Sequence, residues 1–152
     1  MANDFRIYRQ TNPVCGDDKV TIEKLLEKPY WIIDILPKQV PKDSPGQYLA
    51  IEDFFLKEQL SEIKKKHINV ILKLNCYRDI TIDDEKNPAP EQIRDTILDR
   101  YVYIMIGDAM ILSEPDDTHL TVFNPDEELL DLIKDLSPSE GLFAWKGNAD
   151  ES

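Results

Sequence analysis

Three apolar, β-prone runs lie within residues 101–123: Tyr101–Ile106, Ala109–Leu112 and His119–Phe123. Gly107-Asp108 joins the first pair, and a turn at Pro115-Asp116-Asp117 separates the second. Parallel neighbours need a crossover of about a dozen residues or more, which these links cannot hold. The three runs therefore predict an antiparallel meander, and everything else must pack against that sheet.

The remaining elements follow from periodicity and punctuation. Phe5–Arg9 alternates and predicts a strand, closed by a turn at Asn12-Pro13 and Gly16. Asp17 or Asp18 can cap a short helix carrying Ile22, Leu25 and Leu26, which ends before Pro29. Tyr30–Leu36 is apolar except for Asp34 and predicts a strand covered on both faces. Pro37, Pro41 and Pro45 make residues 37–46 an extended loop. A helix is expected from Ile51 or Phe55 to Lys66, with Leu56, Leu60 and Ile63 on its apolar side. Val70–Tyr77 alternates and predicts a strand with Leu72, Leu74 and Cys76 on one face. Thr81–Pro90 is expected to be an acidic loop, and Pro90 to open a helix holding Ile93, Ile97 and Leu98. Asn124 is the expected N-cap of a further helix, with Glu127 three residues on and Leu129, Leu132, Ile133 and Leu136 at helical spacing. Ser137-Pro138 and Gly141 end it, and Leu142–Trp145 is a last short strand.

This order predicts an α/β or α+β domain: a mixed sheet of about six or seven strands with about four helices packed on it. Its early part alternates strand and helix and could build parallel pairs. One globular domain is expected over residues 1–146, with 147–152 a flexible polar tail.

Charge is the feature that bears on function. Residues 1–82 carry 12 acids and 13 bases, a net of +1, whereas residues 83–152 carry 18 acids and 5 bases, a net of −13. An overall charge of −12 disfavours nucleic acid and anionic membrane surfaces as partners. No apolar run approaches the roughly 20 residues of a membrane span, and Met1–Arg9 does not read as a signal peptide, so a cytoplasmic location is expected. Cys15 and Cys76 are expected to stay reduced there.

The chemistry-bearing patterns are few. Cys15 and Cys76 form no CxxC pair, His67 and His119 are far apart, and the acidic runs lack the alternation of a calcium loop. The chain has no glycine-rich phosphate loop and no G-x-S-x-G elbow. No metal, cofactor or catalytic residue is therefore expected. Cys76 reads as a core thiol. Asp34 stands out, because a carboxylate inside a covered strand needs a partner and has a perturbed pKa.

Two readings of function follow. In the first the chain is a non-enzymatic interaction domain that binds a basic protein through its acidic second half, as an immunity or antitoxin protein would. Its contact residues are Asp83, Asp84, Glu85, Glu91, Asp95, Asp126, Glu127, Glu128 and Asp131. In the second it is a small enzyme or ligand-binding domain whose pocket lies near Asp34, Lys38, the 37–46 loop, Tyr77 and Arg78.

Overall fold

The computed structural model describes residues 16–41 and 43–147. In chain order these form α1 (Gly16–Leu25), β1 (Tyr30–Asp34), α2 (Tyr48–Glu58), α3 (Leu60–Tyr77), β2 (Thr81–Ile82), β3 (Glu85–Lys86), α4 (Pro90–Asp99), β4 (Val102–Ile106), β5 (Ala109–Ser113), β6 (His119–Phe123), α5 (Glu127–Leu136), a 3-10 turn (Ser137–Glu140) and β7 (Phe143–Lys146). The strands form one sheet in the order β3-β2-β4-β5-β6-β1-β7. This is an α+β domain with seven strands and five helices among the described residues, as expected in class and strand number.

The meander is present in register, with Ile104 opposite Ile111 and Ile111 opposite Val122. All pairs among the described residues are antiparallel, so the parallel pairs expected in the early part are absent. The reason is the slot β1 takes: it inserts between β6 and β7 rather than beside a strand that follows it directly. The expected strand at Phe5–Arg9, Cys15 and most of the expected tail lie outside the described residues.

Alternation along the strands separates two cores. Ile33, Val102, Ile104, Ile106, Ile111, Leu120 and Val122 face the layer of α3, α4 and α5, where Ile71, Leu74, Ile93, Ile97, Leu129 and Ile133 are also fully buried. Each such side chain contributes about 2 kcal/mol on leaving water. On the other face Met110 and Phe123 pack with Leu25 of α1, flanked by Ile22, Tyr30, Tyr103, Met105 and Leu112.

The main correction is α3. The strand expected at Val70–Tyr77 is the second half of one 18-residue helix. Ile63, His67, Val70, Ile71 and Leu74 sit at helical spacing on its buried side, and that stripe overrides the alternation of residues 70–76. Cys76 is therefore an exposed free thiol rather than a core residue. The helix expected to end at Lys66 is broken elsewhere, at Gln59, whose φ of −129° and ψ of 20° separate α2 from α3.

Two smaller corrections concern turns. The 81–90 segment contains a short hairpin, with Asp83 and Asp84 both at positive φ in its two-residue turn. That backbone matches the twist of paired strands and is tolerated by aspartate. Asn124 is not the cap of α5: it has φ of 60°, and its side chain donates to the Asp108 carbonyl at 3.0 Å. Asp126 is the cap, its Oδ1 accepting from the Leu129 amide at 2.7 Å.

Candidate functional site

The end of the sheet where β1 finishes and β6 begins carries a group of mutually coupled ionisable side chains. Asp34 and His119 are opposite each other in the β1–β6 pairing. The turn from β5 to β6 supplies Glu114, Asp116, Asp117 and Thr118. The first half of α3 supplies Lys64 and His67, and α2 supplies Tyr48, Glu52 and Asp53. Gln39 reaches in from the proline-marked loop. Gln39, Leu49, Glu52, Asp53, Leu56, Asp117, Thr118 and His119 line a cleft of about 430 Å³. Leu49, Glu52, Asp53 and Leu56 share one stripe of α2 by their three- and four-residue spacing, and Asp117–His119 stand across from it.

Beneath this cleft lies a hydrogen-bonded core. Lys64 is 2 % exposed. Its ammonium donates to the Glu114 carbonyl at 2.7 Å and to His67 Nδ1 at 3.1 Å, with Ser113 Oγ at 3.4 Å. His67 Nε2 is 3.1 Å from the Thr118 carbonyl, which can only accept, so the ring is protonated at Nε2 and accepts at Nδ1. Burial and then the Lys64 ammonium push the His67 pKa down to about 3. Burial lowers Lys64 to about 8, against the pull of Asp117, Glu114 and Asp116.

The cleft groups are coupled to one another. His119 Nδ1 lies 3.0 Å from Asp117 Oδ1. Burial opposes the imidazolium, but the Asp117 hydrogen bond and charge and the Asp34 charge outweigh it and raise the His119 pKa. Burial also opposes ionisation of Asp117, whose pKa is nonetheless held low by His119 and by the Thr118 and His119 amides. Asp34 is 2 % exposed and accepts from the Ile35 amide at 2.7 Å. Burial raises its pKa more than that bond and His119 lower it. Glu52 is raised by burial, then by the charges of Asp34 and Asp117. The Tyr48 hydroxyl is shielded from solvent and has no hydrogen-bond partner among the described residues, and burial, then Glu52 and Asp34, push its pKa up to about 12.

The expected pocket residues do not converge. Asp34 ends β1 and Lys38 follows in the exposed loop. Arg78 caps the far end of α3, about 21 Å along the helix axis from Lys64. There its guanidinium bonds Asp126 at 2.9 Å and lies near Glu128 at 3.5 Å. Exposed Tyr77 precedes it at that same end.

The expected acidic contact residues fall on three elements. Asp83, Asp84 and Glu85 belong to the β2–β3 hairpin, Glu91 and Asp95 to α4, and Asp126, Glu127, Glu128 and Asp131 to α5 and its cap. Helices α4 and α5 flank α3 on the same side of the sheet. Several of these charges meet a base: Asp83 pairs with Arg100, Asp95 with Arg94 at 2.9 Å, and Asp126 and Glu128 with Arg78.

Sequence reasoning singled out Asp34 but missed Glu52, Lys64, His67, Asp117 and His119 as a group. The available signal was the spacing of Asp117 and His119 across a strand start. Lys64 and His67 lie one turn apart on α3, but a helix expected to end at Lys66 leaves His67 outside it and conceals the pairing.

Among the described residues no three His, Cys, Asp or Glu side chains are placed to hold one metal ion, and no helix is long and apolar enough to cross a membrane. No protein-family model, curated protein or solved structure matches this chain.

Proposed function

We propose that this domain is an interaction module for a basic protein, and that it takes a cationic side chain in the cleft between α2 and the β5–β6 turn. The observation that carries this reading is the grouping of Glu52, Asp53 and Asp117 on one concave surface, with Asp34 buried behind it. Among the described residues Asp53 has only an exposed pairing with Lys57 at 2.9 Å, the kind worth about 0–1 kcal/mol. Burial and the neighbouring carboxylates raise the Glu52 pKa, and an incoming ammonium or guanidinium relieves that repulsion. The hairpin and the α4 and α5 surfaces are weaker candidates, because Arg78, Arg94 and Arg100 already neutralise part of them. An immunity or antitoxin role, in which the basic partner is a toxin, is the narrower form of this reading.

The test is titration with a fluorescent oligoarginine peptide at low and high salt. Glu52→Gln is expected to weaken binding several-fold, and Asp126→Asn to leave it nearly unchanged. Binding that ignores Glu52→Gln and follows Asp126→Asn moves the site to α5. No salt-sensitive binding at all removes the reading.

A second reading rests on the 3.0 Å contact between His119 and Asp117 beside Asp34. It makes the same cleft a small-ligand or catalytic pocket in which His119 exchanges protons. Thermal stabilisation by small amines that oligoarginine does not reproduce would favour it.

A further inference from the structure

Among the described residues, helix α1 covers the part of the sheet's second face around Met110 and Phe123. Over β6, β1 and β7 that face forms a groove of about 310 Å³ lined by Tyr30, Ile32, Thr121, Phe123 and Trp145. The lining is braced. The Tyr30 and Phe123 rings lie 5.8 Å apart, and the Trp145 indole donates to the Leu36 carbonyl at 3.0 Å. Gln39 and His119 stand in the wall of this groove and also in the wall of the acidic cleft. An aromatic groove and an anionic cleft thus adjoin through two shared side chains.

We infer that groove and cleft together hold one extended segment of the basic partner. A large apolar or aromatic side chain lies over Phe123 and Trp145, and a lysine or arginine lies beside Glu52 and Asp117. The inference rests on the reading of the cleft given above and specifies what the partner must present. Charge complementarity selects the occupant, since the groove opens onto carboxylates. A second copy of this chain, itself carrying −12, meets repulsion there. Strand rise sets the spacing: Thr121 is about 7 Å and Phe123 about 14 Å from His119 along β6. Side chains two or four positions apart in an extended segment point the same way and cover those distances.

The test uses the full chain with Trp31→Phe, which leaves Trp145 as the sole indole. The probes are short acetylated glycine–serine peptides holding one arginine and one phenylalanine, two or four residues apart. Controls replace the phenylalanine by alanine or move it next to the arginine. The spaced peptides are expected to bind about tenfold tighter than the alanine control and to shift Trp145 emission. Glu52→Gln is expected to weaken every arginine peptide.

Equal binding of the alanine control, or no dependence on spacing, overturns the groove while leaving the cationic cleft standing. Failure of every arginine peptide, or indifference to Glu52→Gln, removes the cleft reading and the groove with it. A dimer in light scattering that the spaced peptides do not dissociate would assign the groove to a second copy and also overturn the inference.

Discussion

The Lys64 ammonium nitrogen lies 3.1 Å from His67 Nδ1, so two buried basic side chains share one hydrogen bond inside the fold. The arrangement works because the histidine is neutral and accepts. It ties the first half of α3 to the β5–β6 turn through Glu114 and Thr118.

Stability is expected to depend on pH through both groups. His67 has a folded pKa of about 3 against an ordinary 6.5, so the unfolded chain binds more protons between those values. Stability therefore falls as pH drops from about 6.5 towards 3. Lys64 is lowered to about 8 from 10.5, so the same sign makes stability rise between about pH 8 and 10.5. Denaturant midpoints across both windows check this, and Lys64→Met is expected to abolish the alkaline rise. The same substitution strips the Glu114 carbonyl and His67 Nδ1 of their donor, at about 1–3 kcal/mol for each acceptor left buried and unpaired.

Asp34 is expected to respond in the opposite direction. Burial raises its pKa, so holding the carboxylate ionised costs more in the folded chain than in the unfolded one. Asp34→Asn keeps an oxygen for the Ile35 amide and removes the charge, so it is expected to raise the melting midpoint by a few degrees at neutral pH. Asp34→Leu also removes the acceptor of that 2.7 Å bond and is expected to lower it. A thermal melt of each variant decides, and a lower midpoint for Asp34→Asn would contradict the assignment.

Helix α5 allows its cap, Asp126, to be compared with the turn residue before it, Asn124. Asp126→Ala loses the 2.7 Å bond to Leu129 and the Arg78 pairing, and is expected to cost about 1–2 kcal/mol. Asn124→Gly keeps a residue that accepts φ of 60° and is expected to be nearly neutral, whereas Asn124→Val forces a β-branched side chain into that region and costs more. Urea denaturation of the three variants separates the cap from the turn.

Gly147 is fixed by proximity. Its amide donates to the Tyr30 carbonyl at 2.8 Å, and a Cβ built on it would overlap the Tyr30 ring. Gly147→Ala is expected to cost about 1–3 kcal/mol and to disturb the Tyr30–Phe123 contact, which near-ultraviolet circular dichroism reads.

The meander, α4 and the span of α5 could be read from local pattern, because turn residues and helical spacing agree there. The second half of α3 could not, for a specific reason. Val70, Leu72, Leu74 and Cys76 alternate, while Ile71 on the other face is apolar as well, so both periods fit. The deciding signal was negative: no glycine or proline lies between Lys66 and Val70 to let a helix become a strand. For the cleft, Asp34 was recognisable because charge in an apolar run is locally odd. Glu52 and Asp117 look like ordinary surface acids, and only the meeting of α2 with the β5–β6 turn makes them neighbours. The imbalance between the halves of the chain was plain, yet it did not locate a surface, since Asp83 and Asp84 also serve a turn and Asp126 also serves a cap.

The slot taken by β1 has a consequence for how this chain acquires its shape. Ile32 pairs with Thr121 on one side and with Trp145 on the other, partners that emerge late in synthesis. An early strand must wait, its edges unsatisfied, until nearly everything downstream exists. Nucleation is thus expected in the locally paired meander, with closure around Ile32 following as a slow, long-loop event. A nascent chain stopped before Phe143 would expose one flank of that strand to any neighbouring polypeptide.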